Sequence, residues 1–203
     1  MNTPGTVLDF LHEWSGWFCH KLPDRSPHSG LDVFPVCFRC AGWQFGLLAA
    51  YARMLLGGNW RGHFPSVRVS ISCVALMMPL VIDGLGNALH LWNSPSWFRG
   101  LTGLGVGLCV PWLLTPLAHD VDQVGPASLE NLRPLFWPAL VGIVAVFSLD
   151  QGLGPFAFRA LAVATATGWY AFVGYFLFAL VRSYGESATR PFKQLFLRPG
   201  VRT

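Results

Sequence analysis

The chain is 203 residues long, 53% hydrophobic and only 12% charged, with 9 Trp, 16 Phe and a formal net charge of +4. Soluble domains carry roughly twice that share of charge, so composition excludes a soluble globular protein and indicates an integral membrane protein, read as a single domain over residues 1–203. The basic excess then reports topology rather than nucleic-acid binding, because Lys and Arg beside membrane helices set their orientation.

The elements follow in chain order. Val7, Leu8, Phe10, Leu11, Trp14, Trp17 and Phe18 recur at helical spacing, with Asp9, His12 and Glu13 between them. That pattern predicts a short amphipathic helix in the headgroup layer, leading into a Cys/His loop, over residues 5–34. Residues 1–30 lack a basic start, an apolar run and a small-residue cleavage site, so the first membrane helix is expected to direct insertion. Stretches 35–57, 66–90, 98–118, 134–150 and 155–182 are long and apolar enough to span. The fold class is therefore all-α: a bundle of about five transmembrane helices behind one interfacial helix. The 134–150 stretch is short and holds Pro134 and Pro138, so a re-entrant segment is its alternative. Gly103-x-x-x-Gly107 suits close helix approach, with packing inside the chain favoured over a dimer interface. Pro79, Pro111 and Pro116 should kink or unwind their helices. Residues 183–203, with Arg190, Lys193, Arg198 and Arg202, read as a basic cytoplasmic tail.

Five alternating spans set the orientation. One side collects Arg53, Arg61, Arg68, Arg133, Arg182 and the basic tail; the other holds Lys21, Arg25, Arg99 and Arg159, with Arg39 at its edge. The first side, being richer, should face the cytoplasm. The N-terminus then lies outside a cell (inner) membrane.

The chemistry gathers at that outer end. Cys19-His20 and, further on, Cys37-x-Arg39-Cys40 supply three thiols and an imidazole, a donor set for tetrahedral zinc. On helical geometry Cys37, Cys40 and Gln44 lie within roughly 60° of one another, whereas Arg39 points about 200° from Cys37, toward a different neighbour. Asp83, Asn87 and His90 share one face of the second span on the same count. Cys40 lies about 8 Å and Asp83 about 10 Å below their outer helix ends. Arg99 and Thr102 begin the third span at that level, under a loop carrying Arg25. Cys19, His20, Cys37 and Cys40 are therefore the candidate metal ligands, and Arg25, Arg39, Gln44, Asp83, Asn87, His90, Arg99 and Thr102 are expected to line the same pocket.

These residues also carry a resemblance. Cys19-His20-x-x-Pro23-x-Arg25-Ser26, Pro35-x-Cys37-x-Arg39-Cys40-x-Gly42, Asp83-Gly84 and Arg99-x-x-Thr102-Gly103 resemble the uncharacterised prokaryotic membrane proteins grouped as domain of unknown function class 2085, over residues 17–107. The resemblance implies a multi-pass membrane protein with a site at these positions and no assigned activity.

Three functional classes stay open. The first is a metal site, structural or with an open catalytic position, in which His90 or Asp83 can replace His20 as fourth ligand. The second is a quinone-linked thiol-disulfide enzyme using Cys37 or Cys40, with Cys19 resolving and Arg39 favouring the thiolate. The third is a non-catalytic scaffold or accessory subunit of a larger membrane complex, with the lipid bilayer as the remaining partner. A lipid-modifying enzyme or transporter, with Asp83, His90 and Arg99 acting on an anionic headgroup, is a lesser fourth. Cys73 and Cys109 read as small core residues. His63 and His119 read as solvated, and Asp120, Asp122 and Glu130 as an acidic loop.

Overall fold

A computed structural model describes residues 7–17, 19, 23–57, 65–118 and 132–196. It contains helices α1 (Val7–Trp14), α2 (Phe38–Leu56), α3 (Val67–Ala88), α4 (Ser96–Leu114), α5 (Phe136–Gln151) and α6 (Pro155–Phe196), with strands β1 (His28–Ser29) and β2 (Asp32–Val33). The architecture is the expected all-α membrane bundle, preceded by a short amphipathic helix. Helices are the form this composition requires, because an apolar segment in lipid must satisfy its backbone groups internally. The stretches Val67–Ala88, Ser96–Leu114, Arg133–Gln151 and Pro155–Arg182 are each long and apolar enough to cross a membrane. The short fourth stretch thus forms a helix of spanning length.

The helices divide by what covers them. Only 22% of the apolar window of α3 is buried inside the bundle, against 56% for α4. Val67, Ile71, Val74, Ile82 and Leu85 of α3 are exposed, as are Val141 and Val144 of α5 and Phe178 and Val181 of α6. These side chains are apolar and largely uncovered by the protein, which is the surface a bilayer covers. The less apolar α2 packs against α4, α5 and α6, so neighbouring helices accommodate Arg39, Cys40 and Gln44 where lipid would not.

The α2–α4 seam is made by glycines on both helices. A Cβ at Gly42 would strike the Gly100 carbonyl, and one at Gly46 would lie 2.5 Å from the Leu104 carbonyl oxygen and 2.8 Å from the Leu108 nitrogen. On the other side, Gly103 faces the Arg39 carbonyl and Gly107 the Trp43 carbonyl, with the Leu47 nitrogen 2.7 Å from a Cβ at Gly107. The facing residue numbers rise together, so the two helices run parallel. Gly103-x-x-x-Gly107 therefore packs within the chain, against the matching Gly42-x-x-x-Gly46. The seam sets the cysteine end of α2 beside the start of α4.

α3 and α4 are joined by a short turn. The Leu91 N–H bonds to the Gly86 carbonyl at 2.9 Å, and His90 takes φ 57°, a left-handed helix termination. α6 continues past Arg182 to Phe196, so part of the expected tail is helical. At 42 residues it measures about 63 Å, roughly twice an apolar core.

The N-terminal segment covers the cysteine end. Leu8 of α1 is buried, and Trp14 meets Tyr170 of α6 edge-on at 6.3 Å, while Trp17 is fully exposed. Phe34, wholly buried, contacts Phe158 at 5.3 Å and Phe45 at 6.5 Å. Asp32, on the hairpin, accepts a bond from Arg159 Nε at 2.8 Å, and Ser29 Oγ donates to the Leu153 carbonyl at 2.7 Å. The hairpin is thus fastened to the start of α6.

Candidate metal centre

The two sequence elements that carry cysteines meet at the start of α2. The sulfurs of Cys19, Cys37 and Cys40 all lie within 4.8 Å of one another. Cys19 is buried, Cys37 and Cys40 are half-buried, and no disulfide joins them. Cys37 is the N-cap of α2 and Cys40 follows one turn on, so both thiols leave the same side of a helix N-terminus. The free N–H groups and positive dipole end of α2 lie beside them. The Cys37 N–H also donates to Cys19 Sγ at 3.3 Å. Tetrahedral zinc with Zn–S bonds of about 2.3 Å places its sulfurs roughly 3.8 Å apart, so the triad need close by no more than about 1 Å to grip such an ion.

A serine positions the remote thiol. Ser15, buried, has its hydroxyl 2.6 Å from the Pro35 carbonyl and 2.9 Å from that of His12. Its own carbonyl accepts the Cys19 N–H at 3.0 Å. One residue thus binds the chain before Cys19 to the chain before Cys37.

The polar residues of α3 and α4 form a second cluster around Asp83, which is 2% exposed. Arg39 pairs with Asp83 Oδ2, and Ser94 Oγ donates to Oδ1. Asn87 Nδ2 donates to Oδ1 at 2.9 Å and to the Asp83 carbonyl at 2.7 Å, and the Trp92 side chain is a further hydrogen-bond partner. Arg99 extends the network, donating to Asn87 Oδ1 at 3.0 Å and to Asn93 Oδ1 at 2.6 Å. Gly86 makes room for this turn, because a Cβ there would enter the Trp92 ring.

Where one pocket was expected, there are two adjoining clusters that share the first turn of α2. Cys37 and Cys40 serve one, and Arg39 serves the other. The predicted divergence of Arg39 holds, and its neighbour is Asp83. Arg39, expected to favour a thiolate in the thiol-disulfide reading, has its guanidinium on Asp83. His90 is exposed and sits beyond the helix at positive φ, so it does not continue the Asp83–Asn87 face. Thr102 is buried and donates to the Arg99 carbonyl of its own helix at 2.9 Å. Gln44 is buried on α2. Arg25 pairs with Asp24 at 3.7 Å. His20 lies outside the described residues, as do His63, His119, Asp120, Asp122 and Glu130. Cys73 and Cys109 are wholly buried in the core, their thiols hydrogen-bonded to each other across α3 and α4.

Sequence reasoning missed Ser15, Asp32, Ser94 and Arg159. Ser94 stands in Asn93-Ser94-Pro95, a pattern that ordinarily signals a helix start, yet its hydroxyl serves Asp83 instead. Asp32 and Arg159 had no local signal.

An all-α bundle with apolar flanks and buried ionic groups defines a multi-pass membrane protein. Residues 19–113 match the family described as "Predicted membrane protein (DUF2085)", which bears out the resemblance. That stretch contains both clusters and ends in α4, leaving out α5 and α6. The chain is also 27% identical, over 108 residues, to an uncharacterised protein of Methanothermobacter thermautotrophicus, a match covering 53% of this chain and 94% of that relative. No solved structure matches.

Proposed function

We propose that this chain is a multi-pass protein of the cell membrane whose Cys19, Cys37 and Cys40 hold a zinc-like metal ion at the extracytoplasmic mouth of the bundle. The observation that carries the reading is the meeting of three thiols from two separate segments within 4.8 Å. His20, next to Cys19 in sequence, completes the donor set. Three thiolates and one further position serve either a structural clamp or an open catalytic site. As a clamp, the metal would fasten the N-terminal segment to α2, which Ser15 already holds in register. The excess of Lys and Arg at the other end of the helices supports the outward orientation. It gains weight because Arg39 and Arg99 are engaged inside the bundle and no longer count toward the loops of the cysteine side.

Metal analysis with thiol counting, on protein extracted in mild detergent, tests this reading. About one equivalent of zinc or another thiophilic metal is expected per chain, lost in a Cys37→Ser, Cys40→Ser double variant. Metal-free protein with Cys37 and Cys40 quantitatively joined in a disulfide would replace the metal reading with the thiol-disulfide one. Cysteines that prove replaceable without loss of metal or folding would favour an accessory subunit.

A further inference from the structure

Arg99 is 7% exposed, and its charge has no carboxylate of its own among the described residues. Its hydrogen-bond partners are the neutral amides of Asn87 and Asn93. The nearby carboxylate is already taken, with Asp83 Oδ2 on Arg39 and Oδ1 on Asn87 and Ser94. Arg99 Nε is buried and has no hydrogen-bond partner, and Arg39 Nε is in the same state. The other charges acting on Arg99 are Arg25 and Arg39, which repel it, and Asp83 and Asp24, which attract it. Among the described residues, three guanidinium groups are thus set against two carboxylates. The Asp24 side chain is 73% exposed, so solvent screens it. The excess positive charge falls on the most buried member of the group, where an unpaired ion is least tolerated.

We propose that this arginine cluster binds a phosphate-type oxyanion, held by Arg99 with Arg25 and Arg39 at its entrance. Planar guanidinium forks match phosphate oxygens. The Arg25 and Arg39 side chains are 37% and 26% exposed, which leaves an approach from the headgroup layer. The N-terminal turn of α4, which carries Arg99, adds oriented N–H groups. Arg99 stands about 5 Å below the start of its helix, the depth of the boundary between headgroups and hydrocarbon. The anion is either the phosphate of a lipid headgroup or free inorganic phosphate. The site is separate from the cysteine triad and does not depend on a metal there.

Thermal melts of the full chain in mild detergent test the proposal, with phosphatidylglycerol, zwitterionic phosphatidylcholine or inorganic phosphate added. A bound anion should raise the melting temperature by roughly 3–6 °C at ten times its dissociation constant. A rise with phosphatidylglycerol but with neither inorganic phosphate nor phosphatidylcholine identifies a lipid headgroup, and a rise with inorganic phosphate identifies the free ion. The rise should vanish in Arg99→Met and shrink in the more exposed Arg25→Gln. No rise with any of the additives, or a rise that both variants keep in full, overturns the proposal.

Discussion

The α2–α4 seam makes a sharp prediction at Gly107. Adding one methyl group there, as Gly107→Ala, places a Cβ against the Trp43 carbonyl, 2.7 Å from the Leu47 nitrogen and 3.0 Å from the Gly46 Cα. All three obstacles are backbone, so no rotamer change relieves them. Ordinary contact needs about 3.4 Å or more, and with the Trp43 carbonyl the nearest obstacle the helices must part by roughly 1 Å or more, or bend. Overpacking of this kind costs about 1–3 kcal/mol, which for a chain of this size lowers the melting temperature by roughly 2–12 °C. Gly174→Ala is the control, because a Cβ at Gly174 meets nothing within 4 Å. Alanine suits a helix interior better than glycine by about 0.5–1 kcal/mol, so that variant should melt at or slightly above the parent. Tryptophan fluorescence during heating in mild detergent reads both. Should Gly107→Ala melt with or above Gly174→Ala, the seam is not closed as described, and the placement of the first turn of α2 beside the start of α4 loses its support.

Two further outcomes follow from the clusters. Asp83→Leu strands Arg39 and should cost about 3 kcal/mol, the lower part of the range for breaking a buried pair, because the Arg39 side chain is 26% exposed. Adding Arg39→Met should recover most of that loss in the same melts, and a double variant no better than Asp83→Leu alone would argue against the pairing. Ser15→Ala removes the hydroxyl that meets the Pro35 carbonyl at 2.6 Å, leaving that site short by about 1–3 kcal/mol. The effect should be local. Cys19 should alkylate several-fold faster while Cys73 and Cys109, wholly buried, keep their protection. Equal rates before and after substitution would show that Ser15 does not hold the loop.

Composition and period were enough to reveal the helices, because a long apolar segment in lipid satisfies its N–H and C=O groups within itself only as a helix. They also placed Cys37 with Cys40, and Asp83 with Asn87, since residues three or four apart share a helix face. The same period carried the Asp83 face one step too far. His90 lies beyond the point where α3 turns left-handed, and nothing in Gly86-Asn87-Ala88-Leu89 announces that turn. Gly42 and Gly46 stood in plain view, yet they acquire meaning only opposite Gly103 and Gly107. Contacts between distant segments left no local trace at all: Ser15 with Pro35, and Asp32 with Arg159. What the membrane does impose is the kind of partner. An arginine at the depth of Arg39 or Arg99 is tolerated only with compensation, so each must find an acid, an amide or a ligand. Arg39 found the acid and Arg99 only the amides. The same rule that accounts for Asp83 beside Arg39 thus leaves a place for an anion beside Arg99.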